Sequence, residues 1–312
     1  KKRNPSEGLI PLAKPMSEIF HLHRQSQSQR SRTLGMLLIQ FEPDHSIPLR
    51  RAPDVTEACL AVYGEISEPY VTSLRELLGF IGSLEWRKKG LAIEAIKELG
   101  DGRIHPHYGV FAPVRSEYIG LLEKAPLPAA MTGNSLAFDI GTGTGVLAAV
   151  LASRGIQKII ATDQDDRAIE CAEENIEGLG IKKSVKLIKT HLFPEGKAPL
   201  IVCNPPWVPA RPSSPIEYAV YDPDSQMLNG FVTGLADHLS PGGEGWLILS
   251  DLAEHLGLRT RPELLALIEA SGLKVLGRYD VRPSHAKALD TQDPLYRARA
   301  AEVTSLWRLA AN

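Results

Sequence analysis

The stretch IVCNPPWVPA, at 201–210, holds the residues best suited to chemistry. Three apolar residues run into Asn204, followed by Pro205, Pro206 and Trp207. Proline cannot donate to a β ladder, so a buried strand that reaches Asn204 must stop there, and the carbonyls beyond it are left free. Pro205 also drives Asn204 out of the helical region, and Pro206 stiffens the next step, so the carbonyl oxygens point in fixed directions. The Asn204 side-chain oxygen and the Pro205 carbonyl can then accept both hydrogens of one NH2 group, and Trp207 can stack on a flat substrate group. An amide or aniline-like nitrogen is a poor nucleophile because its lone pair is delocalised. Two acceptors gripping its hydrogens can pyramidalise it and aim the lone pair at an electrophile, which is catalysis by orientation and by stabilising developing positive charge. Taken alone, the same residues also describe a strand end with a proline-rich turn and a core tryptophan.

A second constellation lies upstream. FDIGTGTGVLA (138–148) joins a strand to a helix, and glycines there let the chain turn tightly and a ligand approach closely. Gly141, Gly143 and Gly145 read GxGxG, and Val146 stands where the third glycine of a dinucleotide fingerprint would sit. A nicotinamide oxidoreductase therefore fails on spacing and leaves NPPW unexplained. Asp139, just before the glycines, can fix the loop or meet a cationic ligand group. Asp163 closes the next strand, KIIATD, where an acid commonly accepts hydrogen bonds from both ribose hydroxyls. Asp165 suits the N-cap of the helix that follows.

These residues need a frame. From residue 135 short apolar runs alternate with helical patterns: SLAFDIG, KIIATD, SVKLIKT, LIVCNPP and EGWLILS as strands, with helices starting near 145, 165, 227 and 261. The helix over 227–243 is expected to end in SPGG. That order predicts an α/β fold with a seven-stranded, mostly parallel, doubly wound sheet. KVLGRYDV and AEVTSLWRLA close the chain with no clear helix between them, which predicts an antiparallel edge. Ligands in such sheets bind at the carboxyl ends of the strands. Segments from 53, 67 and 83 show helical spacing up to DG at 101–102, with Ser67 and Pro69 resembling a helix start. HRQSQSQRSRT (23–33) reads as a loop or linker. The chain is thus expected to divide into a mainly helical N-terminal domain, 1–107, and an α/β domain, 108–312.

Composition narrows the function classes. Residues 1–107 carry 15 basic and 13 acidic groups, and 108–312 carry 20 and 24, so neither part has the basic excess of a strong nucleic-acid binder. The first 32 residues hold seven Lys/Arg against two Glu and read as a solvated tail. No apolar run approaches the ~18 residues that span a bilayer, and no segment of signal-peptide type opens the chain. Cys59, Cys171 and Cys203 form no CxxC pair, as expected of free thiols in a reducing cytoplasm. His21, His23, His105 and His107 lack a completing cluster and read as loop histidines. Ser284 and His285 lack a nucleophile elbow, so a hydrolase is rejected. The segment 282–300 is long for a hairpin loop and is a candidate border of the substrate site. Tyr221 and Asp222 are candidates to line the same pocket, or to form a surface turn.

With these motifs in place, residues 108–312 resemble the class I S-adenosylmethionine-dependent methyltransferases, within them the amino-methylating group with an NPPY-type motif, and most closely the HemK/PrmC group of protein glutamine N5-methyltransferases. GVFAPVRSEYIGLLE (109–123) is similar to the lead-in of that catalytic domain. The resemblance implies an N-methyltransferase that uses S-adenosyl-L-methionine. It implies that Asp139, Gly141, Gly143 and Gly145 hold the methionine part, that Asp163 holds the ribose, and that Asn204, Pro205 and Trp207 hold the substrate nitrogen. It implies a protein substrate presenting a glutamine, such as a release factor or ribosomal protein, recognised by the N-terminal domain. The alternative within the same chemistry is an exocyclic amine of adenine or guanine in RNA or DNA, for which the charge gives no support. A catalytically silent cofactor-binding scaffold is disfavoured by the intact Asp139, Asp163 and Asn204. Two departures stand out. Trp207 replaces the commoner Tyr or Phe, and His191 stands where the group usually has an acid that meets the adenine amine. A neutral imidazole can accept one hydrogen bond there.

Overall fold

The computed structural model describes residues 14–114, 116–132, 135–212, 217, 220–283 and 290–312. Its centre is a seven-stranded sheet. The strands are β5 (Leu136–Ile140), β6 (Lys158–Asp163), β7 (Val185–Lys189), β8 (Ala198–Cys203), β9 (Leu239–Ser250), β10 (Leu273–Val281) and β11 (Thr304–Ala311). They run in the order β10-β11-β9-β8-β5-β6-β7. β5, β6, β7, β8 and β9 pair in parallel, and β11 lies antiparallel between β9 and β10. This is the doubly wound sheet expected from the sequence, with the antiparallel closing pair. The chain builds β5, β6 and β7 outward on one side and returns to lay β8 on the other, so the topological switch point falls between the ends of β5 and β8.

Alternation along the strands creates two cores. Ala137, Ile159, Ala161, Leu200 and Val202 face one layer, which holds α4 (Glu117–Lys124), α5 (Val146–Ser153) and α6 (Asp166–Gly178). Phe138, Ile140, Ile201 and Cys203 face the other, which holds α7 (Gln226–His238) and α9 (Arg261–Ala270). Successive strand residues point to opposite faces, and strands covered on both faces read as continuous apolar runs. The run Val146–Leu151 in α5 is buried along its whole length, so this helix presents no polar face. A single glycine-rich turn is what links it to β5.

Several local expectations are corrected. Residues 23–33 are not a loop but the C-terminal part of α1 (Met16–Leu34), which also carries His21 and His23. No Gly or Pro interrupts that stretch, and its Gln, Ser and Arg residues tolerate a helix, so anchoring one apolar edge is enough. Phe20 supplies the anchor, packed with Val208, Leu252, Leu256, Leu295 and Ala298. The helix expected from Ser67 is preceded by a strand, β2 (Tyr70–Ser73), paired antiparallel with β1 (Leu38–Phe41). α3 (Leu74–Lys89) starts only at the capping box formed by Ser73 and Glu76. The helical pattern from 83 stops at Gly90, whose φ of 67° leaves the helix, and Leu91–Ala92 (β3) pairs with Arg103–Ile104 (β4). SPGG does not close a helix: α7 ends at His238 and those residues begin β9. α2 (Thr56–Tyr63) packs on α3 through Ala58, Cys59, Leu77 and Phe80. α8 (Leu252–His255) follows β9, and α10 (Tyr296–Ala301) lies in the segment before β11. Ser284 and His285 lie outside the described residues, as do residues 1–13 of the basic segment 1–32; the rest of that segment is not a solvated tail, because α1 docks through Phe20. Among the described residues no helix is long and apolar enough to cross a membrane.

Candidate active site

The loop after β5 and the loop after β8 open on one cavity of about 1150 Å³ at the carboxyl ends of the strands. Its walls include Gly141, Gly143, Asp163, His191, Asn204, Pro205 and Trp207, so seven residues scattered over 67 positions of sequence meet at one place. Asp139 and Gly145 stand behind this wall and shape it.

Asp139 is fully buried at the end of β5. Its Oδ2 accepts the Thr142 hydroxyl at 2.6 Å and the Ala148 N–H at 3.0 Å, which ties the glycine loop to the first turn of α5. Its Oδ1 is buried without a hydrogen-bond partner, and the Thr144 hydroxyl in the same loop is in the same state. Burial pushes the Asp139 carboxyl up to about 7, against the two hydrogen bonds that favour its charged form. Gly145 occupies the left-handed region, φ 80°, at the N-cap of α5. Gly143, also left-handed with φ 55°, has open space where a Cβ would stand. A side chain there would fill the cavity, so the bare backbone leaves room for a ligand.

Asp163 ends β6 next to this loop. Its Oδ2 accepts the Gly143 N–H at 3.0 Å and its Oδ1 the Asp165 N–H at 3.0 Å. A carboxylate oxygen can accept more than one hydrogen bond, so both keep capacity toward the cavity. Burial raises this carboxyl above its ordinary range. Asp165 caps α6 by accepting the Arg167 N–H. At the end of β7, His191 Nδ1 lies 2.9 Å from Gln164 Oε1. In the tautomer that donates from Nδ1 to that amide oxygen, Nε2 is an acceptor.

Across the cavity, Asn204 follows Cys203, the last residue of β8. The Trp207 indole N–H donates to Asn204 Oδ1 at 2.9 Å. The Trp207 ring stands edge-to-face against Tyr118, at 6.4 Å and 89°. Beyond it, the Asp222 carboxylate accepts the Met227 and Leu228 N–H groups and so fixes the start of α7. Tyr221 and Asp222 both line the cavity.

The remaining wall was not legible in the sequence. Phe20, Arg24, Gln27 and Ser31, all on α1, face the cavity. Arg24 donates to both oxygens of Glu217, at 2.9 and 3.0 Å, and to the Arg211 carbonyl, and its guanidinium lies 4.1 Å from the centre of the Tyr221 ring. The spacing of 4, 3 and 4 residues marks one helix face, but three of the four are polar, so no hydrophobic period announces it. His105 and His107 lie elsewhere, beside Asp101 and Glu174.

Residues 121–205 match the family model described as ribosomal protein L11 methyltransferase. The release factor glutamine methyltransferase of Cereibacter sphaeroides is 31% identical over 200 residues, which cover 59% of this chain and 65% of that protein. The chain is similar to protein methyltransferases. The ribosomal protein L11 methyltransferase of Pelotomaculum thermopropionicum is 31% identical over 161 residues, 51% of this chain and 42% of that protein. The chain thus spans less than two thirds of the length of either relative. Among solved structures, the ribosomal protein L11 methylase of Lactobacillus delbrueckii covers 64% of this chain and 79% of its own, at 21% identity and a TM-score of 0.42.

Proposed function

We propose that this chain is an S-adenosyl-L-methionine-dependent N-methyltransferase whose acceptor is a planar amide nitrogen, the side chain of a glutamine in a protein. The observation that carries this reading is the shared cavity. The Asn204 and Pro205 edge faces it from β8, and the glycine loop with Asp163 faces it from β5 and β6. The similarity to a release factor glutamine methyltransferase supports a glutamine acceptor and a translation-related protein as its bearer.

The residues present fit the methyl donor. Gly143 leaves an open cradle, Asp139 holds an orphaned buried oxygen under the loop, and Asp163 offers a carboxylate to a ribose diol. In the proposed site Gly141, Gly143 and the loop fixed by Asp139 and Gly145 would hold the methionine part, Asp163 the ribose, and His191 Nε2 the adenine amine. When bound there, the donor would supply an electrophilic methyl carbon and a thioether leaving group. Asn204 Oδ1 and the Pro205 carbonyl hold the two amide hydrogens of the acceptor. That grip removes the nitrogen lone pair from conjugation, turns it toward the methyl group, and stabilises the positive charge that grows on nitrogen. One of the two gripped protons then leaves toward water. Residues 1–107 serve recognition of the protein substrate in this reading, and α1 contributes directly by lining the acceptor side of the cavity.

The test is transfer of labelled methyl from S-adenosyl-L-methionine into a cell extract, followed by separate protease and nuclease digestion. Label released by protease and recovered as N5-methylglutamine supports the reading. Label released by nuclease would replace the glutamine with a base amine.

A further inference from the structure

Asn204 has a weakness as a gripping residue. The two ends of a side-chain amide are nearly the same size, and only one of them accepts hydrogen bonds. Turned over, Asn204 would present an NH2 donor to the NH2 of the acceptor, and the grip would become a repulsion. Something in the structure must choose between the two orientations.

Trp207 is placed to do so. An indole nitrogen only donates, and Trp207 Nε1 lies 2.9 Å from Asn204 Oδ1. The bond can form only when the Asn204 oxygen faces the indole. The indole in turn is held by packing on several sides. Trp207 packs against all three apolar clusters that meet at the site, one on each face of the sheet and one around Phe20 and Leu252. Tyr118, fully buried on α4, stands edge-on to its ring. Packing therefore sets the ring, the ring sets the N–H direction, and the N–H sets the amide.

We propose that Trp207 is a positioning residue that fixes which way round the Asn204 amide lies, through the single hydrogen bond between the indole N–H and Asn204 Oδ1. This deepens, and rests on, the reading of Asn204 as the group that grips the acceptor nitrogen. An amide oxygen has two lone pairs. One goes to the indole and one remains for the acceptor, with the Pro205 carbonyl taking the second acceptor hydrogen. A phenylalanine at 207 would keep an aromatic face but lose the selection. A tyrosine hydroxyl can donate or accept, so it would not enforce one orientation.

The test uses the full chain labelled with 15N at tryptophan, which gives four indole N–H signals. Asn204→Ala should move one of them, that of Trp207, and leave the other three in place. All four unmoved would overturn the proposal. This arm needs no substrate and keeps the tryptophan, so it stands even where Trp207→Phe fails to fold. In the second arm, Trp207→Phe should lower kcat/KM for the amide acceptor about tenfold, since misplacing a reacting group by about 1 Å can cost up to 100-fold. Its Kd for S-adenosyl-L-methionine should stay within about two-fold, a split that general loosening of the fold would not produce. Wild-type turnover in Trp207→Phe would overturn the proposal. Failure to find any methylated amide would sink the functional reading instead, and the indole signals would still show whether Trp207 holds Asn204.

Discussion

Replacing Asp139 by Asn should change how the stability of the fold depends on pH, and the structure sets both sign and size. Asp139 is fully buried, and only one of its oxygens is hydrogen-bonded. Burial lifts its carboxyl to about 7 in the folded chain, against ~3.9 for an unperturbed aspartate. The folded state therefore keeps a proton that the unfolded state gives up. Below pH ~4 both states are protonated and the full contribution is present. As the pH rises toward 7, stability should fall by about 1.4 kcal/mol per unit, to a total on the order of 4 kcal/mol. Above the folded value both states are ionised and the loss stops. Asparagine has nearly the same shape, keeps an oxygen for the Thr142 hydroxyl and the Ala148 N–H, and does not titrate. The assay is urea unfolding of both proteins at half-unit steps from pH 5 to 8. The difference between them cancels the titrating groups that do not couple to Asp139. The wild type should lose stability relative to Asp139→Asn across pH 5–7 and then run parallel to it. A difference that stays flat over the whole range would mean that Asp139 is charged throughout, and the burial argument would be refuted.

Two further substitutions separate binding from turnover. Asn204→Ala should leave the Kd for S-adenosyl-L-methionine within a few-fold and abolish methyl transfer; a variant with wild-type turnover would remove Asn204 from the mechanism. Asp163→Ala should cost about 3 kcal/mol of cofactor affinity, roughly 100-fold, if its carboxylate accepts two ribose hydroxyls. Calorimetry with S-adenosylhomocysteine measures this, and unchanged affinity would move the ribose contact elsewhere.

Much of this protein follows from its local sequence. β5, β6, β8 and the second half of β9 were legible because each is a short apolar run bounded by turn residues, and α5 because VLAAVL follows a glycine turn. The glycine loop, Asp163 and the NPPW corner could be found because their chemistry depends on residue type and spacing: glycine where φ is positive, an acid at a strand end, proline where a ladder must stop. Capping is legible too, since Ser73 and Glu76 carry the capping-box spacing, but Ser67 with Pro69 offers an equally good local start. What stayed hidden depends on partners distant in sequence. α1 reads as polar filler because nothing in 23–33 shows that Phe20 will meet Leu252 and Leu295, or that Arg24 will reach Glu217, 193 positions away. SPGG reads as a stop because glycine and proline usually punctuate, whereas strand pairing with β8 and β11 draws the following residues into β9. Trp207 shows the division within one residue. Its type and its place after NPP are local facts, and they suggest an aromatic face for a substrate. That its indole N–H points at Asn204 is decided only by packing against three clusters built from residues 16 to 309, because a side-chain direction is set by what surrounds it and not by what precedes it in the chain.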